Sequence, residues 1–228
     1  ARPPPSRNGG AFWKGAGKRR GKPFSTKVKP GRAFGKAVRF AASSPRRNDR
    51  KSIGGSKMNR QELEHLIRAA GSITSCQNIV VLGSQAILAS FPNAPIELLI
   101  SMEADVYPLD SPELADLIDG SIGEISPFHN TFGYYAHGVG PGTAILPSGW
   151  KERLVRVEGP GTSGVVGWCV SPPDLAVSKL IAGRDKDIAF VRSMLSHTLV
   201  DAATLRELAG ELPEDQAKLL LARLSKAL

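Results

Sequence analysis

The chain has 228 residues with 30 Lys/Arg, 21 Asp/Glu and two cysteines, enough for one large domain or two small ones. The charge is split: residues 1–57 hold 17 Lys/Arg and one acid, Asp49, whereas the remaining 171 residues hold 13 Lys/Arg and 20 acids. The formal +9 therefore says nothing about the acidic larger part, no apolar run reaches the length of a membrane span, and no signal-peptide core is present. Cys76 and Cys169 lack metal or redox spacing and adjoin apolar runs, which predicts buried free thiols in a reducing, cytoplasmic setting.

Residues 1–57 contain no leucine and are rich in Arg, Lys, Gly, Pro and Ser, so they cannot offset their ordering entropy and are expected to be disordered. Three origins compete: a nucleic-acid-binding arm carrying clusters such as Lys18-Arg19-Arg20, a targeting peptide, or upstream sequence translated in frame and not native to the protein. The abrupt change of composition at Met58 favours the last.

From there, Leu63, Leu66, Ile67 and Ala70 recur at helical spacing, predicting a helix over Asn59–Ala70 closed by Gly71. Asn78–Leu82 reads as a buried strand. A Gly83-Ser84 turn leads into a helix over Gln85–Ala89, which Phe91-Pro92 ends. Leu98–Ile100 and Ala104–Tyr107 read as strand, so Glu103 and Asp105, two residues apart and about 7 Å along the chain, share one face. Such a pair of carboxylates is either a solvated strand face or a hard-oxygen site for a divalent cation.

Ser111-Pro112 starts a helix that Gly120 is expected to stop. Residues 121–149 are rich in Gly, Pro and aromatics and read as a long loop with strand fragments at Tyr134–His137 and Thr143–Leu146; His129 and His137 are candidate bases or substrate ligands within it. Trp150–Val157 and Val165–Val170 are predicted strands. Ser171-Pro172-Pro173-Asp174 caps a helix through Ile181, a second helix follows Gly183-Arg184-Asp185-Lys186-Asp187, and Asp201–Ala209 and Pro213–Leu224 complete a helical end. The expected class is α/β (α+β), a mixed sheet flanked by helices with a helical C-terminal part: residues 58–200 as one domain, and helices over 201–228 packed on it.

The order of these pieces resembles the nucleotidyltransferase fold: apolar strand, Gly-Ser, helix, acid-x-acid strand, then a helix with Lys followed by Arg-x-Lys-Asp. It is most similar to bacterial nucleotidyltransferase-like proteins of an uncharacterised family, on Gly83-Ser84-Gln85-Ala86, Glu103-Ala104-Asp105-Val106-Tyr107-Pro108 and Lys179-Leu180-Ile181-Ala182-Gly183-Arg184-Asp185-Lys186-Asp187. Toxin-type nucleotidyltransferases of abortive-infection systems are more distantly similar. The resemblance implies that Gly83 and Ser84 hold the triphosphate of a nucleotide, that Glu103 and Asp105 bind Mg²⁺ (or Mn²⁺), and that Lys179 and Arg184 neutralise phosphate, with Asp187 the acid of the Lys-Asp pair. A nucleoside triphosphate (NTP) would then give its nucleoside monophosphate to an acceptor hydroxyl on an RNA end, a protein or a small molecule.

Three features depart from that pattern. Eighteen residues separate Ser84 from Glu103, and the first acid is Glu. A third acid has only Glu158, in a Gly-Pro turn, and Asp174, at a helix cap, as candidates. Two readings therefore stand side by side: a metal-dependent transferase, or a catalytically degenerate nucleotide binder or toxin–antitoxin component acting with a protein partner.

Overall fold

The computed structural model describes residues 57–228, so the expectations for the basic arm over residues 1–57 lie outside the described residues, save for Lys57. Helix α1 (Arg60–Thr74) begins with a capping box: the Asn59 side chain accepts from the Glu62 amide, and the Glu62 carboxylate accepts from the Asn59 amide. Its predicted face, Leu63, Leu66, Ile67 and Ala70, is fully buried. Gly71 does not end the helix, contrary to the sequence reading. A Cβ there would lie 2.6 Å from the Val165 side chain, so the glycine permits close packing, and Ser75 in the left-handed region ends the helix instead.

The strands are β1 (Asn78–Val81), β2 (Glu103–Pro108), β3 (Tyr135–Gly138), β4 (Val155–Val157) and β5 (Val166–Cys169), in the order β3-β2-β1-β5-β4. β1 runs antiparallel to β2 and parallel to β5, while β2–β3 is parallel and β4–β5 antiparallel. This is the mixed sheet expected. Ile79, Val80 and Val81 are all fully buried, so both faces of the central strand are covered, as its unbroken apolar run predicts.

Two short helices follow in the first half: α2 (Ile87–Ser90), reached through a 3₁₀ turn at Ser84–Ala86, and α3 (Ala115–Ile122), reached through one at Pro112–Leu114. α3 continues past Gly120, the expected stop. A further helix, α4 (Pro127–Phe132), lies in the stretch read as loop. Its start, Ser126-Pro127, uses the same Ser cap and first-turn proline that marked Ser111-Pro112 and Ser171-Pro172, and the Ser126 hydroxyl accepts from the His129 amide. Three predicted strands become tight turns. Leu98–Ile100 is replaced by a 3₁₀ turn over Ile96–Leu98, Thr143–Leu146 by one over Pro141–Thr143, and the first half of Trp150–Val157 by one over Trp150–Arg153. Runs this short hold too few residues for their periodicity to separate a strand from a tight turn.

The C-terminal third is α5 (Pro172–Ala182), α6 (Asp185–Ser196), α7 (Ala202–Ala209) and α8 (Glu214–Ala227), with α5 packed against the other three. Arg223 of α8 donates to the Leu180 and Ile181 carbonyls at the end of α5, and occupies the space a side chain at Gly183 would need. Among the described residues no helix is long and apolar enough to cross a membrane.

Candidate functional site

The antiparallel pairing of β1 and β2 brings the exit of one strand beside the entry of the other, and the Leu82 amide donates to the Asp105 carbonyl at 2.9 Å. Gly83 follows with φ +64° and ψ −171°, a conformation almost confined to glycine. A Cβ there would stand 2.1 Å from Asp105 Oδ2, so the bare backbone makes room for the carboxylate.

Along β2, Ala104 and Val106 are buried while Glu103 and Asp105 share the other face, as the strand alternation predicts. The parallel β2–β3 register sets Glu103 opposite Tyr135 and Asp105 opposite His137. His137 Nδ1 lies 3.2 Å from Glu103 Oε1 and 3.3 Å from Asp105 Oδ1, and the Tyr135 hydroxyl donates to Glu103 Oε2 at 3.0 Å. One ligand atom from each of Glu103, Asp105 and His137 falls within 4.8 Å of the other two. Burial, and then the neighbouring Glu103 charge, pushes the Asp105 carboxyl above its ordinary range, His137 working the other way. Burial followed by the Glu103 hydrogen bond likewise raises the Tyr135 phenol, which stays a donor.

Two carboxylates and an imidazole form a donor set that suits Mn²⁺, with the carboxylates also matching Mg²⁺, and a bound cation would relieve the repulsion between the acids. His137, and neither Glu158 nor Asp174, is the third side chain that could join Glu103 and Asp105 on a metal. Its signal was the Tyr135-Ala136-His137 alternation in a predicted strand fragment, without the register that points it at Asp105.

The second cluster gathers around α5 and α6. The Lys179 ammonium donates to the Ser84 hydroxyl at 2.9 Å and to Asp187 Oδ1 at 3.2 Å, and sits over the Phe190 ring, 5.1 Å from its centroid. Arg184 Nε donates to Asp187 Oδ2 at 2.6 Å. Burial acts to raise the Asp187 carboxyl, but hydrogen bonds and charge from Arg184 and Lys179 outweigh it and hold the group below its ordinary range. Arg184 is 62% exposed, which leaves its outer guanidinium edge open to an anion. The expected helix N-terminus at Ser84 is corrected: the 3₁₀ turn and the four residues of α2 carry little macrodipole, so the groups here that could meet an anion are the Ser84 hydroxyl and the two cations.

The remaining candidates stand apart. Asp174 is fully buried and forked by Arg153, Nε to Oδ2 at 3.0 Å and Nη2 to Oδ1 at 2.7 Å, with the Ser171 hydroxyl at 2.5 Å. It holds α5 and the turn before β4 together, and no carboxylate oxygen is left for a metal. Glu158 pairs with Arg156 at 2.6 Å on the surface. His129 Nδ1 accepts from the Ile125 amide at 3.0 Å and its ring packs on Tyr135, a structural placement behind the triad.

Glu103, Asp105, His137, Lys179 and Arg184 line one cleft of about 540 Å³, together with Ser84. Two acids, an imidazole and two cations in one cleft are groups that could hold a metal and a polyphosphate. No curated protein and no solved structure matches the chain. The family model described as a nucleotidyltransferase of unknown function (DUF6036) matches residues 61–222, which span β1, the acid pair on β2, β3 and the Lys179–Asp187 segment. The chain belongs to this nucleotidyltransferase family.

Proposed function

We propose that the protein transfers a nucleoside monophosphate from a nucleoside triphosphate to an acceptor hydroxyl, with Mg²⁺ or Mn²⁺ held by Glu103, Asp105 and His137. The observation that carries this reading is the Lys179–Ser84 contact at 2.9 Å, which lays a phosphate-binding ammonium in the same cleft as the three metal-ligating side chains. The cation, when bound, lowers the charge barrier at the α-phosphate and at the attacking and leaving oxygens. Lys179 and Arg184 neutralise the charge of the triphosphate, and Asp187 orients both cations by bonding them from the buried side. The Ser84 hydroxyl gives a further hydrogen bond to a phosphate oxygen. The acceptor oxygen bonds phosphorus as the bond to the bridging oxygen breaks; pyrophosphate carries away that electron pair and the acceptor's proton passes to solvent. The acceptor hydroxyl in this reading belongs to an RNA end, a protein or a small molecule.

A second reading, a nucleotide binder without transfer or one half of a toxin–antitoxin pair, draws on a single observation: the third ligand is an imidazole instead of a carboxylate. The two part under one assay. α-Labelled nucleoside triphosphates with Mg²⁺ or Mn²⁺ are incubated with pools of cellular RNA, protein and metabolites. Labelled acceptor that is lost in Asp105→Asn and Lys179→Ala supports transfer. Nucleotide bound with no labelled acceptor in any pool supports the second reading, and no nucleotide bound removes both.

A further inference from the structure

The cleft has a second arm. A recess of about 390 Å³ shares Ser84, Ser101, Lys179 and Lys186 with the cleft of Glu103, Asp105 and His137, but Leu98, Ile100 and Phe190 line it, together with the Glu97 carboxylate, which accepts from Ser193, and the Asp187 carboxylate, which Lys179 and Arg184 already bond. Ile100 is 62% exposed, a large apolar side chain in the connection ahead of β2, and Phe190 is only partly buried on α6. A lone exposed isoleucine needs no explanation. An isoleucine and a phenylalanine lining one recess, beside an ammonium bonded to Ser84, do call for a ligand that is apolar at one end and anionic at the other.

A polyphosphate alone uses only the cations. A nucleoside joined to it supplies a planar, largely apolar ring system that gains by covering such a wall, while the ribose and phosphates stay in the polar part of the cleft. Lys179 marks the junction: its ammonium touches Ser84 and Asp187 and its position over the Phe190 ring ties the apolar wall to the phosphate cluster.

We propose that the recess lined by Leu98, Ile100 and Phe190 is the nucleoside subsite, holding the base against these side chains while the phosphates lie on Ser84, Lys179 and Lys186. The assignment rests on the nucleotidyltransferase reading and adds to it where the base sits. It also makes Ile100 and Phe190 determinants of affinity that take no part in the phosphate chemistry.

The test is equilibrium binding to the full chain with Mn²⁺, comparing ATP and GTP with inorganic tripolyphosphate, which offers the same phosphate chain without a nucleoside. At least one nucleotide is expected to bind about tenfold tighter than tripolyphosphate. Ile100→Ser, at an exposed position, is expected to weaken that nucleotide by about fivefold and leave tripolyphosphate unchanged. Phe190→Leu, which keeps an apolar side chain in the fold, is expected to act in the same direction, whereas Lys179→Ala weakens both ligands. Equal affinity for nucleotide and tripolyphosphate, or an Ile100→Ser variant that shifts neither, overturns the subsite and leaves the proposed transferase standing. Failure of both ligands to bind overturns the transferase reading and the subsite with it.

Discussion

Lys179 and Ser84, 95 positions apart in the chain, meet through a 2.9 Å hydrogen bond from ammonium to hydroxyl. That bond ties α5 to the turn leaving β1, and so joins the helical third of the chain to the strand pair that presents Glu103 and Asp105. Because Asp187 bonds the same ammonium from its buried side, Lys179 is held in place before any phosphate arrives. Preorganised charge of this kind is worth more at a reacting phosphate than a mobile surface lysine.

Gly83→Ala should damage the metal end of the cleft more than the fold. The left-handed backbone and the Cβ placed 2.1 Å from Asp105 Oδ2 force the carboxylate to move. The strain is expected to cost about 1–3 kcal/mol, read by urea unfolding. Mn²⁺ affinity, read by the loss of its free-ion paramagnetic resonance signal, should fall by about tenfold or more.

Asp187→Asn should lower stability at neutral pH by about 1–3 kcal/mol, since the buried acceptor of Lys179 and Arg184 loses its charge. The pH dependence has a defined sign. The folded pKa of Asp187 is depressed below its unfolded value, so its contribution is complete above the unfolded carboxyl value of about 4 and is lost as pH falls through the folded value. Denaturation curves of the parent and the variant should be well separated at pH 7 and converge in acid. A gap that persists unchanged to pH 2 would contradict the pairing.

Arg153→Met should leave Asp174 as an unpaired buried carboxylate and destabilise the fold by about 3 kcal/mol. The loss of the second pairing, to Glu211 in the turn after α7, adds little because it lies at the surface. Nucleotide affinity of the folded variant should match the parent's, which separates Asp174 as a support of α5 from Glu103 and Asp105.

The cysteines should differ in reactivity. Burial pushes the fully buried Cys169 thiol up to about 12, whereas Cys76 is only partly buried, a correction to the expectation that both thiols are enclosed. A thiol-specific disulfide reagent should modify Cys76 in the native protein and reach Cys169 only after denaturation. Equal rates at the two positions would contradict the burial of β5.

The helix faces and caps were largely legible because they depend on neighbours a few residues away. Leu63, Leu66 and Ile67 form the core stripe of α1, and Ser171-Pro172 starts α5 as its composition says. The three strands that become turns share a cause. Leu98–Ile100, Thr143–Leu146 and Trp150–Arg153 are too short for an alternating pattern to tell a strand from a 3₁₀ turn. Gly71 and Gly120 were read as stops, although Gly71 in fact serves close packing on Val165. In α4, the Ser126-Pro127 start was present in the sequence but was outweighed by the Gly-rich and aromatic surroundings.

What the sequence by itself determined is the strand face shared by Glu103 and Asp105, the glycine before Ser84, and the order Lys179–Arg184–Asp187 on successive helical segments. These follow from backbone periods of two and 3.6 residues, which every chain obeys locally. Only the tertiary structure decided that His137 completes the acid pair, that Asp174 belongs to Arg153, and that Ile100 and Phe190 line one recess. Those relationships depend on the β2–β3 register and on how α5 packs on the Ser84–Ala86 turn and α6 on the Ile96–Leu98 turn, and both are set by burying the whole core at once, so no local pattern encodes them.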